Sequence, residues 1–207
     1  MTSSKPVIYV VDDDVSVGRA LSLLLKAHDF NVEIFKCATD FLAFKHPKTS
    51  SCLILDLRLP YMNGLVLQET MASQGLTIPI IFISGHGNIP MSVKAMKGGA
   101  VDFLPKPFTD KDLLNAIDRA IAKDKIINKD LAEKENIWRR IKTLSPRELE
   151  VFRLVCSGML SKQIAFKRGT ALQTIKVHRS RVMQKMQAKT VTALIHFAQK
   201  AGLISSK

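Results

Sequence analysis

Cysteine is scarce in this chain, and no long hydrophobic run occurs in it. Cys37, Cys52 and Cys156 are odd in number and far apart, so they lack both an even disulfide framework and the spacing of a metal site. We expect three free thiols, buried or half-buried. No apolar stretch approaches the ~18 residues of a membrane span, and the first five residues lack the hydrophobic core of a signal peptide. We therefore expect a cytoplasmic protein without a membrane partner.

Acidic residues are few in the last part of the chain. Residues 1–124 hold 13 lysines and arginines and 13 acidic residues, whereas residues 125–207 hold 18 and 5. The whole net charge of +13 therefore lies after residue 124. This asymmetry favours a nucleic-acid-binding half. On charge alone, a solvated basic surface or a membrane-facing surface explains it equally well.

Glycine and proline are both absent between Phe108 and Ser145. A helix is therefore expected to begin at Thr109, with Asp112 completing a capping box. Apolar residues recur near a heptad spacing at Ile117, Ala120, Ile127, Leu131, Trp138 and Ile141. Asp124 and Lys134 interrupt this seam. The helix is a semi-rigid linker, a dimer seam or a solvated spacer.

Short apolar runs alternate with amphipathic stretches in the first 124 residues. The predicted strands are Val7–Val11, Val32–Phe35, Cys52–Leu55, Ile78–Ile83 and Val101–Leu104, and the predicted helices between them are Val15–His28, Thr39–Phe44, Leu65–Ser73 and Pro90–Lys97. This alternation predicts a five-stranded parallel sheet covered by helices on both faces, a doubly wound, flavodoxin-like α/β domain.

The last third of the chain predicts a compact bundle of four helices. Ser145, Pro146 and Glu148 form a strong helix start, with serine as the cap and glutamate at the third position. Three further helices are expected at about 161–166, 171–186 and 191–200. We therefore predict a first domain at 1–124, a helical linker at 125–143 and an all-α domain at 144–207.

Carboxylates follow two of the predicted strands. Asp12, Asp13 and Asp14 come directly after the first strand, and Asp56 comes directly after the third. Parallel strands end at one edge of the sheet, where gathered carboxylates repel one another unless a cation binds. Oxygen ligands in this number suit Mg²⁺. Alternatively, the three consecutive aspartates cap the helix that follows them.

A hydroxyl and an amine are expected at the same edge of the sheet. Ser84 follows the fourth strand and Lys106 follows the fifth. Together with the carboxylates, these groups can bind a metal ion and a phosphoryl group. An aspartate can accept a phosphoryl group as a nucleophile. A haloacid-dehalogenase-type phosphatase is excluded, because its general acid would stand at position 58, which is Arg58 in this chain.

Four separated segments carry a family resemblance. They are Val10-Val11-Asp12-Asp13-Asp14, Leu55-Asp56-Leu57-Arg58-Leu59-Pro60-Tyr61-Met62-Asn63-Gly64, Ile83-Ser84-Gly85-His86-Gly87 and Phe103-Leu104-Pro105-Lys106-Pro107-Phe108. In this order they resemble the receiver domain of two-component response regulators over about residues 5–124.

The resemblance implies a role for each residue at the sheet edge. Asp56 is the phosphoacceptor, and Ser84 and Lys106 bind the phosphoryl group. Mg²⁺ is held by Asp13, Asp56 and the backbone carbonyl of Arg58, with a contribution from Asp12. Phe103 stands at the aromatic switch position, although an ordinary core aromatic explains it as well. The only catalysis expected is the gain and hydrolysis of the chain's own aspartyl phosphate.

The stretch 171–186 predicts a DNA-reading helix. Ile175, Val182 and Met186 fall on one face and should pack inward. The outward residues expected to contact DNA are Gln173, Thr174, Lys176, Val177, Ser180 and Arg181, with Lys162 from the preceding helix. Polar and cationic side chains around a small apolar one suit a major groove. An ordinary solvated helix face is the alternative.

Three further segments resemble the NarL/LuxR-type helix-turn-helix: 144–148, 161–165 and 174–179. With the receiver, they make the chain similar to the FixJ-type subfamily, which includes regulators of nitrogen fixation and aromatic-hydrocarbon catabolism. The resemblance implies a sensor histidine kinase, promoter DNA and RNA polymerase as partners. It also implies a regulator of transcription, and we expect an activator. We predict that phosphorylation shifts an existing equilibrium toward a homodimer, with Ser84 and Phe103 as the relay and 90–103 as the contact surface.

The chain departs from the usual helix-turn-helix pattern at three positions. Ser161 replaces an asparagine, Arg168 replaces a core leucine, and Ala171 replaces the serine that caps the recognition helix. Thr170 and Gln173 have the spacing of a capping box, so we predict a helix that begins one residue earlier than usual. A protein-docking bundle remains the alternative to a DNA-binding one.

Overall fold

The computed structural model describes residues 5–47, 49–85 and 89–204. The chain divides into two compact units, Met1–Asn128 and Lys129–Lys207. Within the described ranges, no helix has the length and apolar character that a bilayer crossing requires. Cys37 is half-buried and Cys52 and Cys156 are buried, all as free thiols, which confirms the prediction.

The first unit is built on a five-stranded parallel sheet in the order β2-β1-β3-β4-β5, which confirms the predicted fold. The strands are β1 (Val7–Val11), β2 (Asn31–Phe35), β3 (Ser51–Asp56), β4 (Ile80–Ser84) and β5 (Asp102–Pro105). The helices are α1 (Val15–Ala27), α2 (Ala38–Ala43), α3 (Gly64–Ser73), α4 (Ile89–Lys97) and α5 (Asp110–Ile141). His86 and Gly87 of the predicted motif lie outside the described residues.

Both faces of the sheet are covered, as the apolar strands require. Ile8 and Val10 pack with α1 and α5 on one face. Tyr9 and Val11 pack with α2 and α3 on the other. The alternation of side chains along a strand divides the core into these two layers. Polar groups are left at the strand ends, where the site is found.

Proline explains the largest shift in a predicted strand boundary. We predicted that the fourth strand begins at Ile78, but β4 begins at Ile80. Pro79 has no N–H to donate to the sheet, although its carbonyl accepts from the Leu53 amide at 2.8 Å. The start of α5 is confirmed: Thr109 Oγ1 accepts from the Asp112 amide at 3.2 Å, and Asp112 Oδ2 accepts from the Thr109 amide at 3.3 Å.

The second unit is helical. It contains α6 (Pro146–Cys156), α7 (Ser161–Arg168), α8 (Leu172–Met186) and α9 (Val191–Lys200), together with the part of α5 from residue 129 onward. The predicted cap of α6 is confirmed, because the Ser145 hydroxyl and the Glu148 carboxylate each accept from the other's backbone N–H.

The interval 125–143 is more than a linker. Ile137 and Ile141 are buried in the core of the second unit. The Lys200 ammonium at the end of α9 pairs with Asp130 at 3.3 Å and also with Glu133. Apolar burial on one side and ion pairs on the other make the last three turns of α5 part of the second unit.

Asp124 was predicted to interrupt the α5 seam, but it is buried there. Its Oδ2 accepts from the Ser51 amide at 3.0 Å and from Asn128 Nδ2 at 2.6 Å. Burial raises the pKa of this carboxyl, against the opposing effect of the Ser51 and Asn128 hydrogen bonds. Asp124 therefore ties α5 to the beginning of β3.

Truncating Asp124 is expected to destabilise the first unit. In Asp124→Ala the buried Ser51 amide loses its acceptor, which costs about 1–3 kcal/mol. Asp124→Asn keeps an acceptor and removes the charge that burial penalises, so its stability should equal or exceed that of the wild type. Urea unfolding followed by far-UV circular dichroism measures both. Asp118→Ala, on an exposed position of α5, is the control, and an alanine variant at 124 as stable as this control would contradict the prediction.

Candidate functional site

Three carboxylates meet at the carboxyl end of the sheet. Asp12 and Asp13 follow β1, and Asp56 is the last residue of β3. The two strands are neighbours, with Val11 opposite Leu55. As a result, one oxygen from each of Asp12, Asp13 and Asp56 lies within 4.8 Å of the others. Sequence reasoning predicted this grouping, and the parallel register produces it.

Lys106 reaches this cluster from β5. Its Nζ donates to Asp12 Oδ2 at 2.8 Å and to Asp56 Oδ2 at 3.1 Å. Its backbone N–H donates to the carbonyl of Ser84 at 2.8 Å. The hydrogen bond to Ser84 holds the backbone of Lys106 beside the end of β4. From there the Lys106 side chain extends to the carboxylates of Asp12 and Asp56.

The electrostatics of the cluster depend on burial and on Lys106. Burial raises the pKa of Asp12, although hydrogen bonds from Lys106 and from the Asp14 amide oppose the rise. Burial by itself would lower the pKa of Lys106, but hydrogen bonds to Asp12 and Asp56 outweigh it, and the pKa is raised. Three carboxylates face one ammonium, so a divalent cation with a preference for oxygen fits the donor set.

The third consecutive aspartate has a different role. Asp14 Oδ1 accepts from the backbone N–H groups of Ser16 at 2.8 Å and Val17 at 3.4 Å, which caps α1. Asp12 Oδ1 accepts from the Asp14 amide at 2.9 Å. Asp14 is therefore a helix cap, whereas Asp12 and Asp13 belong to the carboxylate cluster.

The other predicted site residues lie around the cluster. Ser84 ends β4 beside Asp56 and is buried. The Arg58 amide donates to Asp56 Oδ1 at 3.2 Å. Phe103 lies on β5, half-buried, with its ring stacked on Phe82 at a centroid distance of 6.2 Å. Its packing is that of a core aromatic near the surface.

Gly64 is a residue of the site whose role we did not predict. A Cβ at this position would lie 2.6 Å from the backbone carbonyl of Asp56. The Gly64 amide donates to the Leu57 carbonyl at 3.0 Å, and Asn63 caps α3 through the Leu65 amide. Any larger residue at the start of α3 would clash with the backbone of Asp56 and Leu57, so this position requires glycine. In the sequence, the Asn63-Gly64 pair was the feature that could have indicated this constraint.

The recognition helix presents two faces, as predicted. Ile175, Val182 and Met186 are buried in the core of the second unit. The predicted DNA-contacting residues are all exposed: Lys162, Gln173, Thr174, Lys176, Val177, Ser180 and Arg181. The outward face of α8 is therefore polar and cationic around the exposed side chain of Val177, and Leu172 in the first turn of the helix is also exposed.

The predicted capping box at Thr170 is wrong. The Thr170 amide donates to the Ala165 carbonyl at 3.1 Å and so closes the turn at the end of α7. Gly169 adopts a left-handed conformation, with φ of 58°. With its N–H already used, Thr170 belongs to the end of α7. The N-cap of α8 is Ala171, which has no side-chain acceptor.

A serine at position 171 is expected to stabilise the second unit. Ala171 has the extended backbone of an N-cap, φ −66° and ψ 141°, so a serine hydroxyl there can accept from the first turn of α8. Ala171→Ser should raise the unfolding free energy by about 1 kcal/mol, whereas Thr170→Ala should change it little. Urea unfolding followed by Trp138 fluorescence measures both, because Trp138 is the only tryptophan of the chain and lies in the second unit. A larger loss in Thr170→Ala than the gain in Ala171→Ser would restore the original prediction.

The other departures from the helix-turn-helix pattern are accommodated at the surface. Arg168 Nη1 pairs with Glu150 Oε1 at 2.7 Å, and both side chains are about one third exposed. Ser161 Oγ accepts from Arg179 Nη1 at 3.2 Å, which ties α7 to α8. An ion pair thus takes the place of a core leucine, and the fold is retained.

Comparison with known proteins identifies both units. Residues 8–118 match the family model for the response regulator receiver domain, and residues 142–198 match that for bacterial regulatory proteins of the luxR family. Nodulation protein W of Bradyrhizobium diazoefficiens is 43% identical over 201 residues, covering 97% of this chain and 88% of that protein. The transcriptional regulatory protein FixJ of Rhizobium meliloti is 38% identical over 195 residues, covering 94% and 96%.

A solved structure agrees with these matches. The response regulator StyR is similar to this chain with a TM-score of 0.80 and 41% identity, over 95% of this chain and 100% of that one. The resemblance drawn from the sequence motifs is thus confirmed over nearly the full length. The chain belongs to the response regulators that join a receiver domain to a LuxR-type DNA-binding domain, and within them to the FixJ type.

Proposed function

We propose that Asp56 accepts a phosphoryl group from a sensor histidine kinase. One observation carries the proposal: Asp12, Asp13 and Asp56 lie within 4.8 Å of one another, and the Lys106 ammonium bridges two of them. A carboxylate oxygen of Asp56 attacks phosphorus, the bond from phosphorus to the donor nitrogen breaks, and an acyl phosphate forms. Lys106 neutralises charge on the phosphoryl oxygens, and the Ser84 hydroxyl binds one of them. Water later attacks phosphorus, the bond from phosphorus to the Asp56 oxygen breaks, and inorganic phosphate leaves, which restores the carboxylate.

The residues at this site fit Mg²⁺. Asp13, Asp56 and the backbone carbonyl of Arg58 would hold the ion, with Asp12 contributing from the buried side of the cluster. When bound, Mg²⁺ would neutralise charge on the transferring oxygens. The donor set consists of carboxylate and carbonyl oxygens, which are the ligands this ion prefers.

We propose that phosphorylation shifts an existing equilibrium toward a homodimer. Ser84 and Phe103 form the relay, and 90–103 forms the contact surface. The exposed apolar residues Val93 and Met96 of α4 support this surface. Leu131 and Trp138, each 42% exposed on the predicted seam of α5, support a separate dimer contact within the second unit.

We propose that the second unit binds promoter DNA as a dimer and recruits RNA polymerase. Because both partners are in the cytoplasm, we propose the same location for this protein. The exposed face of α8 supports base contacts from Gln173, Thr174, Lys176 and Val177, with Ser180, Arg181 and Lys162 on the phosphates. The net charge of +13 carried by residues 125–207 supplies the counterion-dependent part of the affinity.

Binding to DNA selected from a random pool tests this function. The full-length chain, with and without a small phosphodonor and Mg²⁺, is titrated against the selected duplex at several salt concentrations. We expect phosphorylation to strengthen binding and affinity to fall steeply with salt. A bundle that docks on proteins instead would select no duplex and show no such slope.

A further inference from the structure

The carboxyl end of the recognition helix α8 is held by an arginine from α5. Arg140 Nη1 donates to the backbone carbonyl of Met186, the last residue of α8, at 3.0 Å. The last four carbonyls of a helix have no partner within that helix, and a cation is favourable beside their partial negative charge. Position 140 lies in the interval that we predicted as a linker, so the sequence pattern did not indicate this contact.

The same guanidinium lies over an aromatic ring of α9. The Arg140 Cζ atom is 5.8 Å from the centroid of the Phe197 ring, which is within the range of a cation–π interaction. On α5, Ile137 and Ile141, before and after this position, are buried in the core of the second unit. The guanidinium is therefore oriented by α5 and α9 together where it bonds to α8.

A second hydrogen bond joins the same two helix ends in the opposite direction. Lys185 Nζ of α8 donates to the carbonyl of Thr143, just after the end of α5, at 3.0 Å. The Thr143 hydroxyl in turn donates to the Arg140 carbonyl at 2.7 Å. Each helix end thus accepts a hydrogen bond from a cation of the other helix, and the two bonds fix the end of α8 against the end of α5.

Arg140 has no acidic partner that would explain its charge. Within residues 5–47, 49–85 and 89–204, no carboxylate forms an ion pair with its guanidinium. Its side chain is half-buried, whereas Arg139 beside it is exposed. Burial of a cation is unfavourable unless it bonds to a polar group, and the carbonyl of Met186 is such a group. The end of α8 therefore explains the charge at position 140.

The orientation of α8 decides how well its outward face reads bases. α8 is one continuous helix of 15 residues, so a movement at Met186 is carried to Gln173, about 20 Å away along the helix axis. Hydrogen bonds to base edges carry the sequence information, and they weaken steeply when their angle is wrong. Flexible lysine side chains on phosphates tolerate such a movement. Loss of the bond at Met186 should therefore reduce selectivity more than overall DNA affinity.

We propose that Arg140 is a positioning residue for DNA reading. It holds the carboxyl end of α8 so that the base-reading face, from Gln173 to Val177, meets the base edges in the correct orientation. Residues 142–198 match the luxR family model, so Arg140 stands outside the matched segment and acts on it from α5. This inference rests on the proposed function and adds to it a residue that determines sequence selectivity without touching DNA.

Arg140→Met tests the proposal in the full-length phosphorylated chain, with Arg139→Met as the matched control. Methionine keeps an apolar side chain against Phe197 but cannot donate to Met186, and the control removes the same charge from an exposed neighbour. Affinity is titrated on the selected duplex and on a scrambled duplex of equal length and composition, at several salt concentrations. We expect Arg140→Met to lose about tenfold on the selected duplex, the order of one base contact. On the scrambled duplex it should lose at most about twofold, with an unchanged salt slope. Arg139→Met should change both affinities by the same small factor.

Two further variants at position 140 separate positioning from other roles. Arg140→Lys keeps a cation that can donate to a carbonyl, so its selectivity should lie between those of the wild type and Arg140→Met. Arg140→Gln, whose neutral and shorter side chain gives up the contact, should behave as Arg140→Met and replaces that variant if it does not fold. Urea unfolding followed by far-UV circular dichroism establishes that each variant is folded at the temperature of the titrations.

Two outcomes overturn the proposal. An equal loss on both duplexes with a shallower salt slope would make Arg140 a phosphate contact. Unchanged selectivity with a lower unfolding free energy would make it a purely structural residue. The preference of the wild type for the selected duplex reports the proposed function, and the difference between wild type and variants reports Arg140. Failure of one is therefore distinguishable from failure of the other.

Discussion

Asp56→Asn is expected to abolish labelling of the chain by a small phosphodonor in the presence of Mg²⁺. The amide nitrogen and oxygen of asparagine cannot form the acyl phosphate that the carboxylate forms. Intact-mass measurement should show one added phosphoryl group in the wild type and none in the variant. Asp40→Asn, at an exposed position of α2, is the control and should label fully.

The loss should extend to DNA binding. Coupling between two sites typically amounts to 1–3 kcal/mol, or about 5–150-fold in affinity. Phosphodonor should therefore tighten DNA binding by the wild type within that range and leave Asp56→Asn unchanged. An adduct of undiminished yield in the variant would mean that another residue is the acceptor.

Lys106→Met separates acceptance of the phosphoryl group from the response to it. The variant keeps the Asp56 nucleophile but removes the ammonium that lies 3.1 Å from Asp56 Oδ2. We expect a mass adduct to form more slowly, with a much smaller gain in DNA affinity per adduct. A full gain would show that Lys106 takes no part in the switch.

The sheet and the acidic cluster could be predicted because both follow from local pattern. Apolar runs as long as one strand identify strands that are buried on both faces. In a parallel sheet every residue that follows a strand lies at the same edge. The position of a residue at a strand end was therefore enough to predict that four side chains lie close together: Asp12, Asp56, Ser84 and Lys106.

Asp124 could not be predicted, because its partner is distant in sequence. The Ser51 amide that it accepts from is 73 residues away, and no spacing within α5 indicates it. On pattern alone, an aspartate on an apolar seam is an interruption. In the structure it is the acceptor for a strand's first N–H, and burial holds its pKa above the usual value.

The error at Thr170 has a different cause. A threonine three residues before a glutamine satisfies the sequence rule for a capping box. The rule does not consider whether the threonine N–H is free. Here the left-handed Gly169 turns the chain so that this N–H closes α7. Two helices separated by so short a turn compete for the same backbone groups, and the earlier helix takes the one at Thr170.

Glu148 is expected to be the most important single carboxylate for the stability of the second unit. Its Oε2 accepts from the Ser145 amide at 2.8 Å and from Lys185 Nζ at 2.6 Å. Lys185 Nζ also donates to the Thr143 carbonyl at 3.0 Å. One almost fully buried side chain thus joins the turn before α6, the first turn of α6 and the recognition helix.

The pKa of Glu148 gives this stabilisation a pH dependence. The hydrogen bond from Lys185, followed by that from the Ser145 amide, lowers the pKa from 4.5 to about 2. A lowered pKa in the folded state stabilises the fold above the unfolded pKa, so the contribution is complete above about pH 4.5. It is lost as the pH falls from about 4.5 to about 2. A pKa shift of this size corresponds to about 3 kcal/mol of unfolding free energy. Because the Lys185 side chain is 38% exposed, solvent screens its charge and the contribution of Glu148 falls to about 2 kcal/mol.

Glu148→Gln should therefore lower the unfolding free energy of the second unit by about 2 kcal/mol at pH 7. It should also remove most of the loss of stability between pH 4.5 and 2, because glutamine keeps an acceptor for Ser145 but carries no charge for Lys185. Urea unfolding followed by Trp138 fluorescence across this pH range measures both effects. Glu150→Gln, on the same helix, is the matched control: its pair with Arg168 is about one third exposed, so its removal should cost at most about 1 kcal/mol. Equal losses in the two variants, or an acid transition that persists in Glu148→Gln, would show that the charge of Glu148 does not hold the recognition helix in place.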